Sequence, residues 1–97
     1  MDSVRIRSFA HKGLRLLYAE DNSRGLPPYA VPKLRAMLTF MQDMASAQKL
    51  YTGPAWKAHQ LTGSRKNTWS LHVTCNWRLT FRVDQEEICE VDYEDYH

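Results

Sequence analysis

Apolar and polar residues alternate near the start of the chain and again through its last third. A period of two is typical of β-strands that bury one face and expose the other. Segments with this pattern cover residues 4–9, 69–75, 77–83 and 89–93, and a less regular segment covers 56–61. We therefore predict strands at these five places, with a turn near Asn76 and an acidic turn over residues 84–87.

Two segments between the first strands have a helical period instead. Leu14, Leu17 and Tyr18 are spaced for a short helix that begins near residue 11. A longer helix is predicted from about residue 29 to 47, with one apolar face made of Val31, Leu34, Leu38, Met41 and Ala45. The predicted fold class is α+β: a single domain over residues 1–97, with two N-terminal helices packed on one face of a small, twisted, mostly antiparallel sheet.

The strand pattern also predicts the character of the other face of the sheet. Successive side chains of a strand point to opposite faces. If the large apolar residues of 77–83 face the helices, Arg78 and Arg82 face away from them, as do His72 and Thr74 on the neighbouring strand. We therefore predict an open face that is polar and cationic, suited to a ligand that carries phosphate.

Composition narrows the class of protein. Apolar residues make up 43% of the 97 positions, which is too many for a disordered chain. No apolar run is long enough to span a bilayer and the first residues do not form a signal peptide, so we expect a cytoplasmic protein. Cys75 and Cys89 fit no metal-binding spacing, and we expect two reduced, buried thiols.

Charge is divided unevenly along the chain. Residues 1–83 contain all thirteen Lys and Arg against four acids, a net charge of +9, whereas residues 84–97 contain seven acids and neither Lys nor Arg. This separation favours a basic surface for a polyanion. The alternative is that the acidic strand pairs with basic neighbours within the fold, so that the two charges cancel.

Residues with the chemistry for RNA cleavage lie at His59, Arg78 and the terminal run Asp95-Tyr96-His97. Cleavage without a metal needs a base for the 2′-hydroxyl, an acid for the leaving oxygen and a cation for the developing charge. Histidine suits the first two tasks and arginine the third. Each residue also has an ordinary interpretation: a surface histidine, an arginine paired with an acid, and a frayed chain end. We take His11 and His72 to be non-catalytic.

Several motifs together resemble the HigB-type toxins of the RelE/ParE superfamily, also known as plasmid maintenance killer proteins. The resemblance begins at residues 6–14 and spans nearly the whole chain in order. It includes a match at residues 59–63. Its most specific elements are Trp69-Ser70, Asn76-Trp77-Arg78 and the terminal Asp95-Tyr96-His97. Residues 19–56 match in pattern only.

The resemblance implies a RelE-like fold and a bacterial type II toxin that cuts mRNA in the ribosomal A site without a metal or other cofactor. It also implies a partner antitoxin of the HigA type, which has a helix-turn-helix domain. The toxin would contact operator DNA only through this antitoxin, and no membrane partner is implied. His59 and Asp95 would assist proton transfer, Tyr96 would orient the nucleotide, His97 would act in acid–base chemistry or positioning, and Arg78 would hold the scissile phosphate. Base and acid stay unassigned. We expect RNA contacts from Lys12, Lys57, Arg65, Lys66 and Arg82.

One departure from the family pattern concerns Thr62, where many relatives have lysine. Arg65 and Lys66 follow closely, and either could supply that positive charge. The alternative function is a catalytically weak or inactive homologue that only binds RNA or an antitoxin. A DNA-binding regulator is a poorer interpretation, because the sequence has no helix-turn-helix pattern of its own.

Overall fold

A computed structural model describes residues 5–44, 56–65 and 67–95. The elements along the chain are β1 (Arg5–Ile6), α1 (Lys12–Glu20), α2 (Val31–Asp43), β2 (His59–Gln60), β3 (Thr68–His72), β4 (Trp77–Asp84) and β5 (Glu87–Asp95). The strands form one sheet in the order β1-β5-β4-β3-β2, in which β1 is parallel to β5 and the other neighbours are antiparallel. This arrangement confirms the predicted α+β class.

Both helices occur where the apolar spacing predicted them, with ends set by local contacts. His11 caps α1, since its Nδ1 accepts hydrogen bonds from the backbone N–H of Gly13 and of Leu14 at 3.0 and 3.3 Å. α1 ends at Asp21, whose φ of 55° is left-handed. α2 is shorter than predicted: residues 28–30 form a single 3-10 turn before it, and Met44 has extended backbone angles. Residues 45–47 of the predicted helix lie outside the described residues.

The strands differ from prediction mainly in length. β2 retains two residues of the predicted 56–61 segment, because Trp56 and Lys57 form a turn in which Lys57 has a φ of 54°. β3 ends at His72, and residues 73–76 form the turn into β4. β4 and β5 are the longest strands, joined by Gln85 and Glu86, both with positive φ as a tight hairpin turn requires.

The core lies between the two helices and one face of the sheet. Leu79 and Phe81 of β4 are 0% and 1% exposed, and Trp77 packs against the same cluster, which confirms the predicted facing of this strand. Met37 and Met41 are fully buried filler on α2, as expected for flexible side chains in a core. Burial of this surface is what holds β4 in its register and therefore aims its alternate residues at the other face.

The open face of the sheet is polar as predicted, but the prediction that it is cationic is wrong along β5. β5 lies in the sheet between β1 and β4, so its alternating acids reach arginines on both sides. Arg82 of β4 pairs with Glu90 at 3.0 Å. On the other side, Arg7 pairs with Glu87 at 2.8 Å and with Asp84 at 3.6 Å. The structure therefore supports the alternative in which the acidic strand offsets basic neighbours.

The two cysteines are free, and their environments differ from each other. Cys89 is buried on β5 as predicted, but Cys75 is exposed, because β3 ends three residues earlier and the turn carries Cys75 away from the core. The prediction of two buried thiols is thus wrong for Cys75. In the described part of the chain, neither helix has both the length and the apolar character needed to cross a membrane.

Candidate functional site

His59 opens β2 and is exposed, with its ring oriented by the turn before it. Its Nδ1 lies 2.9 Å from the backbone carbonyl oxygen of Lys57. A carbonyl only accepts hydrogen bonds, so Nδ1 of the neutral ring carries the proton and Nε2 keeps its lone pair. The left-handed Lys57 backbone turns that carbonyl toward the ring. His59 therefore presents a proton acceptor to solvent, as a general base requires.

Arg78 lies near the start of β4 and is half-buried. Its Nη1 donates to the backbone carbonyls of Thr74, Cys75 and Trp77 at 3.0, 3.1 and 3.2 Å. These bonds close the β3–β4 turn around the guanidinium, so one part of Arg78 has a structural role. They also fix its position on the open face.

The neighbours of Arg78 across the sheet are His72 on β3 and Glu94 on β5. His72 is half-buried, and burial lowers the pKa of its imidazole. The positive charges of Arg78 and Lys57 lower this pKa further, so the environment favours the neutral ring. The sequence led us to predict that His72 is non-catalytic, although the two-residue period already placed it on the same face of the sheet as Arg78.

The terminal run is described as far as Asp95, which ends β5 and is exposed. Asp95 pairs in register with Trp77, and Trp77 stacks on Tyr93 with 4.6 Å between ring centroids. The sheet thus holds the chain beside the start of β4, adjacent to Arg78, up to this residue. The predicted residues Tyr96 and His97 lie outside the described residues, as does Lys66.

Two of the predicted RNA-binding arginines are bound to carboxylates of β5. Arg65 makes a bidentate pair with Glu94, with Nη1–Oε1 and Nη2–Oε2 distances of 3.0 and 2.7 Å. The Thr80 hydroxyl donates to the same carboxylate. The hydrogen bonds from Arg65 lower the pKa of Glu94, burial opposes the shift, and the bond from Thr80 adds to it. Arg65 therefore does not replace the missing lysine at Thr62 while this pair is intact.

The Arg65–Glu94 pair predicts a pH-dependent contribution to stability. A carboxylate with a lowered pKa stabilises the fold above its unfolded pKa, and this contribution is lost as the pH falls through the folded pKa. We expect Glu94→Gln to lower the free energy of unfolding at neutral pH, and the difference from wild type to shrink below the ordinary value of 4.5. Denaturant unfolding at several pH values measures this, with Glu20→Gln at the exposed end of α1 as the control. A difference that is constant with pH would contradict a charge-based contribution.

Two cavities adjoin these residues, and Arg65 borders both. The first, about 330 Å³, lies over the open face and is lined by β4 and β5, including Thr80, Arg82 and Glu90. The second, about 290 Å³, is lined by residues 59–62 and Arg65. The Arg65–Glu94 pair therefore separates the His59 side from the centre of the sheet. Lys57 is two residues before His59, which lines the second cavity, whereas Lys12 is exposed in the first turn of α1 and lines neither cavity.

Comparisons with known proteins agree on one family. The family model for the RelE-like toxin of the type II toxin–antitoxin system HigB matches residues 7–97. The chain is also 35% identical over 92 residues to endoribonuclease HigB of Proteus vulgaris, an alignment that covers 95% of this chain and 99% of that protein.

Solved structures of RelE-superfamily toxins share the fold at low sequence identity. The YoeB–YefM complex from Staphylococcus aureus aligns with a TM-score of 0.55 and 18% identity, covering 96% of this chain and 98% of that chain. The YoeB/ParE toxin from Agrobacterium tumefaciens gives a TM-score of 0.57 and 15% identity with the same coverage. These likenesses confirm the predicted RelE-like fold. Together with the family model, they confirm the resemblance seen in the sequence: the chain belongs to the RelE-like toxins of the HigB type, from type II toxin–antitoxin systems.

Proposed function

We propose that this toxin is an endoribonuclease that cuts mRNA in the ribosomal A site and thereby stops translation and growth. The observation that carries the proposal is the geometry of His59, whose Nδ1–H is held by the Lys57 carbonyl while Nε2 is left as an exposed acceptor. The similarity to endoribonuclease HigB of Proteus vulgaris supports the same reaction class.

The proposed reaction is an attack by the ribose 2′-oxygen on the adjacent phosphorus. Nε2 of His59 takes the proton of the 2′-hydroxyl as the new P–O bond forms. The bond from phosphorus to the 5′-oxygen breaks, and a group of the terminal run Asp95-Tyr96-His97 gives that oxygen a proton. The products are a 2′,3′-cyclic phosphate and a free 5′-hydroxyl, and the reaction uses no cofactor.

Arg78 would stabilise the negative charge that develops on the phosphoryl oxygens. A guanidinium suits this role, because it is a fixed charge that donates several hydrogen bonds in one plane. The three carbonyl contacts of Nη1 hold the group in place before substrate arrives, so little reorganisation is needed in the transition state.

The openness of the site supports the proposed dependence on the ribosome. His59 is exposed on a two-residue edge strand, and the adjoining cavity is shallow, so the protein alone holds a flexible RNA poorly. The decoding centre would present mRNA in a fixed conformation, and such orientation is worth several kcal/mol. We further propose a cytoplasmic location and neutralisation by a HigA-like antitoxin with a helix-turn-helix domain, which would bind the operator DNA.

A second candidate function is a homologue that binds RNA or antitoxin without cutting. The observation that favours it is the bidentate pairing of Arg65 with Glu94, in a chain that has Thr62 where many relatives have lysine. The site then has one cation fewer for phosphate than those relatives.

Mapping of mRNA 5′ ends separates the two functions. After brief expression in bacteria, we expect new 5′ ends within translated frames, absent for an Arg78→Ala, His97→Ala double variant. The purified protein should not cut the same transcripts without ribosomes. Unchanged 5′ ends and normal growth would instead identify the binding homologue, and cuts on naked RNA would contradict the dependence on the ribosome.

A further inference from the structure

His72 lies on the open face of the sheet at the end of β3. Its chain neighbours Leu71 and Val73 are 0% and 3% exposed in the core, so the alternation of the strand directs the imidazole to the opposite side. Its register partner is Arg78. Facing pairs on adjacent antiparallel strands have Cβ atoms about 5 Å apart, which places the imidazole beside the guanidinium.

Positive groups lie beside His72 on two sides. Arg78 is its register partner on β4, and Lys57 belongs to the turn before β2, in which the Trp56 carbonyl accepts a hydrogen bond from the His72 N–H. The strongest charges that act on the imidazole are all positive. The facing acid on β5 is Glu94, whose carboxylate is already bound by Arg65 and Thr80.

The segment that carries Lys57 is held against β3 by a backbone hydrogen bond and against α2 by an aromatic contact. The His72 N–H donates to the Trp56 carbonyl at 2.8 Å, and Trp56 packs edge-on against Phe40 of α2, with 5.6 Å between ring centroids. Lys57 follows Trp56 directly, with a left-handed backbone conformation. The fold therefore fixes the backbone of Lys57 beside the end of β3.

We propose that His72 and Lys57 form a second phosphate-binding subsite beside Arg78, which takes a phosphodiester group of single-stranded RNA. This inference rests on the proposed function, since it extends the same substrate across the sheet edge. A neutral imidazole donates one N–H to a phosphate oxygen, and the Lys57 ammonium supplies charge that the anion needs.

Binding of an anion and protonation of His72 are linked in this arrangement. The neighbouring cations disfavour a proton on the imidazole, and a phosphate among them offsets their field. An RNA phosphate in the subsite therefore raises the pKa of His72, whereas a phosphate held only elsewhere leaves it unchanged. His11 is an internal reference, because its Nδ1 is engaged in the cap of α1.

NMR titration of the imidazoles in the full chain tests the proposal, with a 2′-deoxy trinucleotide as the probe. This probe has two phosphodiester groups and lacks the hydroxyl needed for cleavage, so binding is measured without reaction or ribosome. We expect the pKa of His72 to rise by about half a pH unit at saturation, while the imidazole signals of His11 do not respond to the probe.

Charge-matched variants identify the groups that hold the anion. Lys57→Gln should weaken binding of the probe by about fivefold. Arg24→Gln removes the same charge from an exposed loop between the helices and should leave the affinity within about twofold. Equal effects of Lys57→Gln and Arg24→Gln would show general charge attraction and overturn the subsite.

Three other outcomes test the subsite, and they distinguish its failure from failure of the proposed nuclease function. A His72 pKa that is unaffected by a bound probe would overturn it, even if the toxin cuts mRNA on ribosomes. Inorganic phosphate that binds as tightly as the trinucleotide would overturn the assignment to RNA. The expected shifts in a protein that leaves mRNA intact would uphold the subsite and reject the nuclease.

Discussion

Replacement of His59 with asparagine is expected to lower the rate of mRNA cleavage by about 10²–10⁴-fold, the usual contribution of a positioned proton acceptor. Asparagine retains an N–H near the position of Nδ1, so the hydrogen bond to the Lys57 carbonyl has a substitute donor. It has no basic nitrogen in place of Nε2. The variant therefore removes the proton acceptor and little else.

The measurement is single-turnover cleavage of mRNA on programmed ribosomes by equal amounts of folded toxin. Since His59 is exposed, we expect the free energy of unfolding of the His59→Asn variant to stay within about 0.5 kcal/mol of the wild-type value. Gln60→Asn changes the next, equally exposed residue of β2 and should cut within about twofold of the wild-type rate. A wild-type rate for His59→Asn would show that another group takes the proton of the 2′-hydroxyl.

Arg78→Ala should have two separable effects, because the guanidinium contacts both the turn and, as proposed, the phosphate. Loss of a fixed cation at the developing charge is expected to lower the cleavage rate by about 10²–10³-fold. Loss of a charged donor to three carbonyls is expected to lower the free energy of unfolding by about 1–3 kcal/mol.

Arg78→Lys separates these effects. Lysine keeps the positive charge but lacks the planar fork, so we expect it to recover part of the rate and less of the stability. Rates are compared below the unfolding transition of each variant, which is followed by denaturant titration. If Arg78→Ala is destabilised but cuts at the wild-type rate, the residue is structural only. If it is fully stable, the carbonyl contacts do not hold the turn.

The parts of the fold with a strong periodic pattern were predictable from the sequence. β4 has large apolar residues at every second position, and burial of that face then fixes which way Arg78 and Arg82 point. β2 was predicted too long, because the 56–61 segment lacks alternation and a turn at Lys57 interrupts it. Cys75 was misplaced for a similar reason, since no pattern marks where β3 gives way to its turn.

The ion pairs of the open face were beyond sequence reasoning. Arg65 and Glu94 are 29 residues apart in the chain, and their meeting depends on the order of strands in the sheet. The separation of charge along the chain was visible in the sequence. Whether the acids would pair with the arginines could be decided only from the position of β5 in the sheet. His72 shows the opposite case: its face was predictable, while its charged neighbours Arg78 and Lys57 come from separate parts of the chain, and only the fold brings them beside it.

The position of β5 between β1 and β4 has a consequence for the proposed binding of nucleic acid. Arginines that bind RNA usually release condensed counterions from the phosphates, which gives tight and indiscriminate binding at low salt. Arg65 and Arg82 already have carboxylate partners, so a phosphate gains them only by displacing Glu94 or Glu90. Each such exchange replaces one anion by another and returns little free energy. Under the proposed function, the carboxylates of β5 would compete with the phosphates of bulk cellular RNA for these arginines, and RNA that is already held in place by the ribosome would bind in preference.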